Sequence, residues 1–299
     1  RYEYMADYPV YAQQSSPDGK KLYVGGDFAN IYEKNYGTAI PIDITTGEVV
    51  EGNCPVARGG IYASISDSNG GWYVGGINVG ITTISGIRNY HDLVHIRPDC
   101  SIDPDFKFDF GDYYINSLYL KDNILYVGGT FTTAGGQSRN RLAAIDLTTN
   151  SVTSFNPNVD GNIRAMTMNG NILYIGGEFT SVGGQARNKL AAIDVATGLV
   201  TSFSADANDT VRALQIRNNI LYVGGYFTNI GGQVRNRLAA VDLATGSVVG
   251  SDFNLNSYVG AMLFSDNILY IGGEFTSVGG QTRSKAAAIN VDTWMVTSF

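Results

Sequence analysis

The stretch Leu173–Thr180, with the sequence LYIGGEFT, decides the fold because close copies of it recur along the chain. Its first five residues, read as Leu or Trp, Tyr, Val or Ile, Gly and Gly, occur six times. The last four copies follow one another at regular intervals of 48 residues. A fixed period of this size indicates one supersecondary unit repeated six times. The copies begin at Leu22, Trp72, Leu125, Leu173, Leu221 and Leu269.

Each repeat has the pattern of four short strands. In the fourth repeat, apolar or alternating runs are separated by Gly, Asn, Thr and Ser, which favour turns. A four-stranded antiparallel sheet repeated at this period is typical of a propeller blade. The pattern predicts an all-β, six-bladed β-propeller with four antiparallel strands per blade and about 48 residues per repeat. The alternative is an open β-solenoid, whose coils usually repeat at shorter periods. The predicted strands of the fourth repeat are 163–168, 172–179, 190–194 and 199–203.

The six repeats predict a single β-propeller domain over residues 1–299. The third to sixth repeats are near copies, whereas the first two diverge, and the second has a longer loop between its second and third strands. Because whole blades fit without an exchanged strand to clasp the ring, we expect a natural chain that runs past Phe299, with direct packing of the sixth blade on the first as the alternative. The predicted blades are approximately 1–53, 54–106, 107–155, 156–203, 204–253 and 254–299.

Composition argues against several classes of partner. Twenty Lys and Arg against 27 Asp and Glu give a net charge of −7. Nucleic acids and anionic membranes bind proteins through clustered Lys and Arg, so neither is expected as a partner of this acidic chain. No apolar run is long enough for a transmembrane helix, so direct membrane insertion is not expected. The chain contains no phosphate loop, Gly-x-Ser-x-Gly elbow or zinc signature, and the sequence therefore predicts no catalytic residues.

The segment Leu93–Phe106, with the sequence LVHIRPDCSIDPDF, resembles the bacterial delta-sixty β-propeller repeat. That family has a Leu-x-Arg-Leu-x-x-Asp-Gly-Ser-Leu-Asp-x-x-Phe signature after a Tyr-Val/Ile-Gly-Gly-x-Phe strand. Here His95 stands for the Arg and Cys100 for the Gly, and other repeats replace the Asp-Gly turn. The resemblance implies a propeller in secreted or surface-attached bacterial proteins, often as a module of a longer chain. It brings no catalytic residues.

The second position of the first strand in each blade defines a candidate ligand site. The innermost strands of a propeller line its axis, so these residues would form a ring at one mouth of the channel. Arg supplies a planar donor fork and Tyr a stacking face, which together suit a carboxylate or a sugar. The alternative is that the two arginines of the ring satisfy Asp160 and Asp209 in the preceding loops. The ring residues are Tyr11, Tyr62, Asn116, Arg164, Arg212 and Gly260.

A second candidate surface lies on the loops of the first two blades, where the repeats diverge. Aromatic side chains are enriched at protein interfaces, and loops carry much of the recognition in rigid scaffolds. The residues predicted for this interaction surface are Tyr32, Tyr36, His91, Tyr113 and Tyr114.

Two groups of residues raise the question of a metal. His91 and His95 share one face of a predicted strand and could bind a transition metal, but no third ligand has motif spacing, so ordinary packing is the alternative. An acidic run could bind Ca²⁺, although it lacks the spacing of a known calcium loop and Asp also caps turns. We therefore expect no cofactor, with Ca²⁺ as the alternative. The run comprises Asp99, Asp103, Asp105, Asp109 and Asp112.

The two cysteines are placed at opposite ends of a blade by the repeat register. Cys54 falls in a loop between blades and Cys100 at a turn between the third and fourth strands. A disulfide requires Cα atoms within about 7 Å, so we expect two free thiols.

Together these patterns predict a non-catalytic binding or structural module of a secreted or cell-surface bacterial protein, with protein or glycan partners. One alternative is a hydrolase or lyase that works at the axial mouth. The other is a repeat subunit of an extracellular filament or surface layer, which the near-identity of the last four repeats favours.

Overall fold

A computed structural model gives the fold. It describes residues 10–15, 21–26, 30–31, 34–35, 39–43, 56–83, 86–89, 92–99, 101–111 and 113–297, with the backbone alone for residues 10–59, 78 and 80–89. The chain divides into two compact units, Arg1–Ser154 and Phe155–Phe299. The prediction of one domain over residues 1–299 stays a prediction.

The described residues form an all-β propeller with five blades, and they contain no helix. Blade I is a seven-stranded sheet to which the first two repeats both contribute. A separate two-stranded hairpin, β3 with β4, lies in the loop of the first repeat. The strands of this region are β1 (Val10–Ser15), β2 (Lys21–Gly26), β3 (Asn30–Ile31), β4 (Lys34–Asn35), β5 (Ala39–Asp43), β6 (Val56–Ser66), β7 (Trp72–Thr83), β8 (Gly86–Asn89) and β9 (Leu93–Ile96).

The prediction of six blades is therefore wrong, and the second repeat explains why. The longer loop of this repeat extends β7 to 12 residues, and β6 reaches 11 residues beside it. Strand β8 continues this ribbon by pairing with β7. An unpaired strand edge attracts a further strand, and β5 pairs with the start of β6 through Ala39 and Ala57. The strands of the first two repeats consequently share one sheet.

The next repeat forms blade II, and both blades I and II belong to the first unit. Blade II has four strands in the order β10-β11-β14-β15, with a separate hairpin of β12 and β13. Its strands are β10 (Ile115–Lys121), β11 (Ile124–Gly129), β12 (Thr133–Ala134), β13 (Gln137–Ser138), β14 (Leu142–Asp146) and β15 (Ser151–Val152).

The last three repeats form blades III, IV and V of the second unit. Each has a meander of three long strands and a short hairpin, and blades IV and V add a fourth strand. Blade III comprises β16 (Ile163–Asn169), β17 (Ile172–Gly177), β18 (Ser181–Val182), β19 (Gln185–Ala186) and β20 (Leu190–Asp194). Blade IV comprises β21 (Val211–Arg217), β22 (Ile220–Gly225), β23 (Asn229–Ile230), β24 (Gln233–Val234), β25 (Leu238–Asp242) and β26 (Val248–Val249). Blade V comprises β27 (Val259–Ser265), β28 (Ile268–Gly273), β29 (Ser277–Val278), β30 (Gln281–Thr282), β31 (Ala286–Asn290) and β32 (Met295–Val296).

The Gly-Gly pair of the fourth repeat serves two close approaches. In β17, a Cβ at Gly176 would lie 2.4 Å from Cγ1 of Val211, which belongs to the first strand of the next blade. A Cβ at Gly177 would lie 2.0 Å from the carbonyl oxygen of Asn162, just before β16. Both distances are shorter than any real contact of a Cβ atom. The first glycine therefore lets two blades pack, and the second lets two strands of one blade approach.

Aromatic and apolar side chains fill the spaces within each unit. Phe179 is fully buried, and Tyr174 is 4% exposed with its ring 5.2 Å from that of Phe203. The core around blades III and IV runs from Ala165 in β16 to Val248 in β26. Among the described residues no helix has the length and apolarity needed to cross a membrane.

Candidate functional site

All six residues of the predicted ring lie at β-bulges. In the first strand of every repeat, the register with the second strand shifts across the residue in question, as it does at Arg164 between Ile163 and Ala165. A bulge leaves one residue out of the ladder and redirects its side chain, and such sites are frequent beside binding sites. The same shift falls at Tyr11, Tyr62, Asn116, Arg212 and Gly260. The side chain of Tyr11 lies outside the described residues.

Arg164 forms an ion pair with Glu178, the residue that follows Gly-Gly in β17. Its Nε donates to Oε1 of Glu178 at 2.8 Å, and its Nη2 lies 2.7 Å from the same oxygen. Asn162 donates from Nδ2 to Oε2 at 2.8 Å. Burial raises the pKa of Glu178, but the hydrogen bond and charge of Arg164, with Asn162 and Arg212, leave that pKa below its usual value.

Arg212 occupies the matching position in blade IV and meets a tyrosine instead. Its guanidinium carbon lies 5.7 Å from the ring centre of Tyr226 and 5.5 Å from that of Tyr258. The two rings stack, with centres 4.5 Å apart and planes 29° apart. Nη1 of Arg212 lies 3.5 Å from the hydroxyl of Tyr226, at the limit of a hydrogen bond. Cation–π contact therefore holds this arginine in place.

These contacts correct the alternative reading of the arginines. Asp160 accepts hydrogen bonds from the hydroxyl of Thr180 and from the backbone of Thr180 and Ser181. Asp209 accepts from the backbone of Thr210. Within the described part of the chain, the ion-pair partner of Arg164 is Glu178, and Arg212 has no carboxylate within ion-pair distance.

The residue after Gly-Gly was not identified as a site residue from the sequence, although its fixed distance from the bulge residue can be read there. In the last four repeats it lies 14 residues after the bulge residue, and the two side chains meet in blades III and IV. A residue before the third strand brings a cation to the same place, since Lys189 donates from Nζ to the carbonyl of Glu178 at 3.0 Å and Arg237 donates to the carbonyl of Tyr226.

An open cavity of about 410 Å³ lies between blades III and IV, next to Lys189. In its wall, Asp206 accepts hydrogen bonds from the backbone and the side chain of Asn188. Asn208 accepts from the backbone of Asn229 and of the residue before it. The polar groups of the wall are therefore held by one another, and the cavity is already formed.

The residues predicted for the interaction surface are only partly described. Tyr113 and Tyr114 are 42% and 41% exposed, as a contact surface requires. Tyr114 packs against Tyr62 of the predicted ring, with ring centres 5.7 Å apart. Tyr32, Tyr36 and His91 lie outside the described residues. The assignment of this surface stays a prediction.

His95 belongs to a charged cluster within blade I. Its ring stacks on Tyr73 at 4.3 Å, its Nδ1 lies 2.9 Å from Asp103 and its Nε2 lies 3.1 Å from Asp67. Arg97 donates to Asp103 at 2.7 Å. Burial, together with the charges of Asp67 and Asp103, raises the pKa of Tyr73 to about 12. These contacts hold the His95 side chain within blade I, and the metal question for His91 and His95 stays a prediction because His91 lies outside the described residues.

The acidic run acts in turns where the structure describes it. Asp99 accepts from the backbone of Ser101 and Asp109 from that of Gly111. The part of the chain that the structure describes contains no group of three or more His, Cys, Asp or Glu placed to hold a metal ion. Asp112, Cys54 and Cys100 lie outside that part, and Ca²⁺ binding and the free thiols stay predictions.

The nearly identical hairpins of the last four repeats have a structural role. In each, the Arg of the Gly-Gly-Gln-x-Arg sequence donates to a backbone carbonyl 14 or, for Arg235, 15 residues later. Arg187 reaches the carbonyl of Thr201 at 2.8 Å, and Arg283 reaches that of Thr297 at 3.1 Å. The repetition of these loops is thus explained by the scaffold, whereas the bulge residue and its partner vary from blade to blade.

Comparison with known proteins supports the propeller fold. The family model described as "Rax2 C-terminal beta propeller domain" matches residues 107–220, and that described as "Domain of unknown function (DUF5122) beta-propeller" matches residues 218–239. The chain is thus similar to β-propeller families, while the finer delta-sixty assignment stays a resemblance. No curated protein matches the chain. The crystal structure of the computationally designed Ika8 protein is similar with a TM-score of 0.53 and 17% identity, over 97% of this chain and 86% of that one. Such a likeness shows the fold alone.

Proposed function

We propose that the chain is a non-catalytic binding module of a secreted or cell-surface protein, with protein or glycan partners. The observation that supports this is the variation at two fixed positions of otherwise repeated blades. The bulge residue and the residue after Gly-Gly are Arg164 with Glu178 in blade III and Arg212 with Tyr226 in blade IV. A constant backbone that presents different side chains at one place is the arrangement by which rigid scaffolds recognise partners.

The polarity of this place also suits binding. Arginine, tyrosine, asparagine and glutamate side chains offer both donors and acceptors there. The formed cavity beside Lys189 adds a concave surface next to them. Sites of this kind combine a shape that is already present with a few placed polar groups. The localisation follows from the delta-sixty resemblance and is part of the proposal.

Arrays of purified glycans and of purified surface proteins, probed with the labelled chain, test the proposal. We expect binding to at least one class, and we expect it to be lost in the triple variant Arg164→Ala, Arg212→Ala and Tyr226→Ala. The matched control is the triple variant Lys107→Ala, Leu199→Ala and Val234→Ala, whose residues are exposed and lie outside the site. Binding that survives the first variant, or no binding on either array, would contradict the proposal. Circular dichroism confirms that both variants are folded.

A further inference from the structure

The two arginines of the site differ in how far their charges are neutralised. Arg164 directs two guanidinium nitrogens at Glu178. Arg212 makes one long hydrogen bond, to a neutral hydroxyl, and otherwise rests on aromatic rings. Among the described residues it has no ion-pair partner. A guanidinium has five N–H donors, so Arg212 retains donors for a ligand.

The tyrosines hold Arg212 ready for such a ligand. Stacking of Tyr226 on Tyr258 fixes both rings, and the guanidinium lies within about 6 Å of each centre, the range of a cation–π contact. Burial, with the proximity of Tyr226, raises the pKa of Tyr258. Its hydroxyl therefore remains a neutral hydrogen-bonding group. An arginine ordered in this way loses little entropy when it binds an anion.

Several cationic side chains lie along the site although the whole chain is acidic, and the carboxylates that act on it are Glu178 and Glu274. Lys189 and Arg237 donate to carbonyls of the two residues that follow Gly-Gly, so both cationic side chains lie along the site. Burial raises the pKa of Glu178, and Arg164, Asn162 and, least of these, the charge of Arg212 lower it, so this carboxylate lies within the electrostatic reach of Arg212. A local positive field favours an anion. The acceptor oxygens of Glu178 would repel a second negative charge but can accept from hydroxyl groups.

We propose that Arg212, Tyr226 and Tyr258 form a subsite for an acidic sugar, a ring that carries one carboxylate and several hydroxyl groups. The carboxylate pairs with the guanidinium of Arg212, and the hydroxyl groups meet the tyrosine hydroxyls and Glu178. A polyanionic peptide fits less well because Glu178 adds a negative charge within the electrostatic reach of Arg212. This inference rests on the proposed binding function and names its ligand class.

The test is a titration of the ¹⁵N-labelled chain with D-glucuronate, followed by NMR at the arginine Nε–H groups and the backbone amides. Matched titrations use D-glucose, which lacks the carboxylate, and acetate and N-acetylglycine, which lack the sugar ring. We expect glucuronate to shift the Arg212 signals and to bind more tightly than any of the three. Arg212→Ala should weaken glucuronate binding by about 10- to 100-fold, the factor for losing a hydrogen bond to a charged group. Arg212→Lys should recover part of it, and Lys107→Ala should leave it unchanged.

Three results would overturn the inference. If glucose bound as tightly as glucuronate, the carboxylate would have no role in binding. Equal binding of acetate or N-acetylglycine would show a simple anion or a peptide carboxylate site. Unchanged glucuronate binding by Arg212→Ala would place the ligand elsewhere. If one of these occurs while the arrays give a partner that requires the site, only the inference fails; if array binding ignores the site, the proposed function fails as well.

Discussion

Blades III and V contain the same 15 residues in different surroundings. Asn171–Gln185 and Asn267–Gln281 are identical in sequence. In blade III, Tyr174 is buried, Gly176 faces Val211 of the next blade and Glu178 pairs with Arg164. In blade V the corresponding tyrosine is partly exposed, and a Cβ at the corresponding glycine would meet no atom of the described residues nearer than 3.8 Å.

The difference comes from the strands that flank the repeated stretch. The first strand of blade III supplies Arg164 where that of blade V has Gly260, and Glu274 pairs instead with Lys285 at 3.6 Å. Among the described residues, an identical sequence thus gives a close glycine contact and a carboxylate paired with arginine in blade III, and a carboxylate paired with a more distant lysine in blade V. Matched substitutions in the two copies measure what the surroundings of each copy contribute to the free energy of unfolding.

The largest difference is expected for the tyrosines. Tyr174→Ala removes a buried ring that packs edge-on against Phe203, and we expect it to lower the free energy of unfolding by about 3 to 5 kcal/mol. Tyr270→Ala should cost at least about 1 kcal/mol less, because its ring is already partly in water. Urea denaturation followed by far-UV circular dichroism gives both values. Equal losses would mean that the two rings have equivalent surroundings.

The glycines are expected to differ by a smaller amount. Gly176→Ala places a methyl group 2.4 Å from Val211, which is fully buried, so we expect a loss of about 1 to 3 kcal/mol from overpacking. Gly272→Ala meets ordinary contact distances, and a change within about 0.5 kcal/mol is expected there. The same denaturation experiment compares them. A comparable loss in both variants would show that the close approach of Gly176 to the next blade is not what makes its substitution costly.

The same comparison shows what could be predicted from sequence. Spacing revealed the repeat, the strands and the second position of each first strand, because these depend on local pattern. The blade count failed because the extra residues of the second repeat lengthen β7 and let β5 join its sheet through Ala39 and Ala57, a pairing between repeats that no periodicity encodes.

The sequence predicted one of the two residues that each blade contributes to the site. The bulge residues followed from strand register, but their partners Glu178 and Tyr226 lie in the next strand and were treated as part of the repeated stretch. Nearby loop aspartates were the expected alternative for the arginines. That was wrong for Arg164 because Asp160 accepts from the backbone of Thr180 and Ser181. A loop carboxylate whose oxygens already accept from backbone N–H groups has few acceptor positions left for a distant side chain.

The smallest difference is expected for the glutamates, and it depends on pH. Glu178→Gln keeps the shape of the Arg164 contact and removes its charge, so at pH 7 we expect a loss of at most about 1 kcal/mol for this partly exposed pair. Glu274→Gln should change the free energy of unfolding less, since its side chain is 54% exposed and its partner is 3.6 Å away.

The change in the free energy of unfolding between neutral and acid pH gives the sign of the Glu178 contribution. Burial raises the pKa of Glu178, but Arg164 and its neighbours outweigh this, so the folded-state pKa lies below the unfolded value of about 4.3. The charge of Glu178 therefore stabilises the fold fully above that pH, and the stabilisation is lost as the pH falls through the folded pKa. Unfolding measured from pH 7 to pH 3 should show the wild type and Glu178→Gln converging in acid. A gap that widens in acid, or one that Glu274→Gln reproduces, would show that Arg164 does not hold this carboxylate ionised.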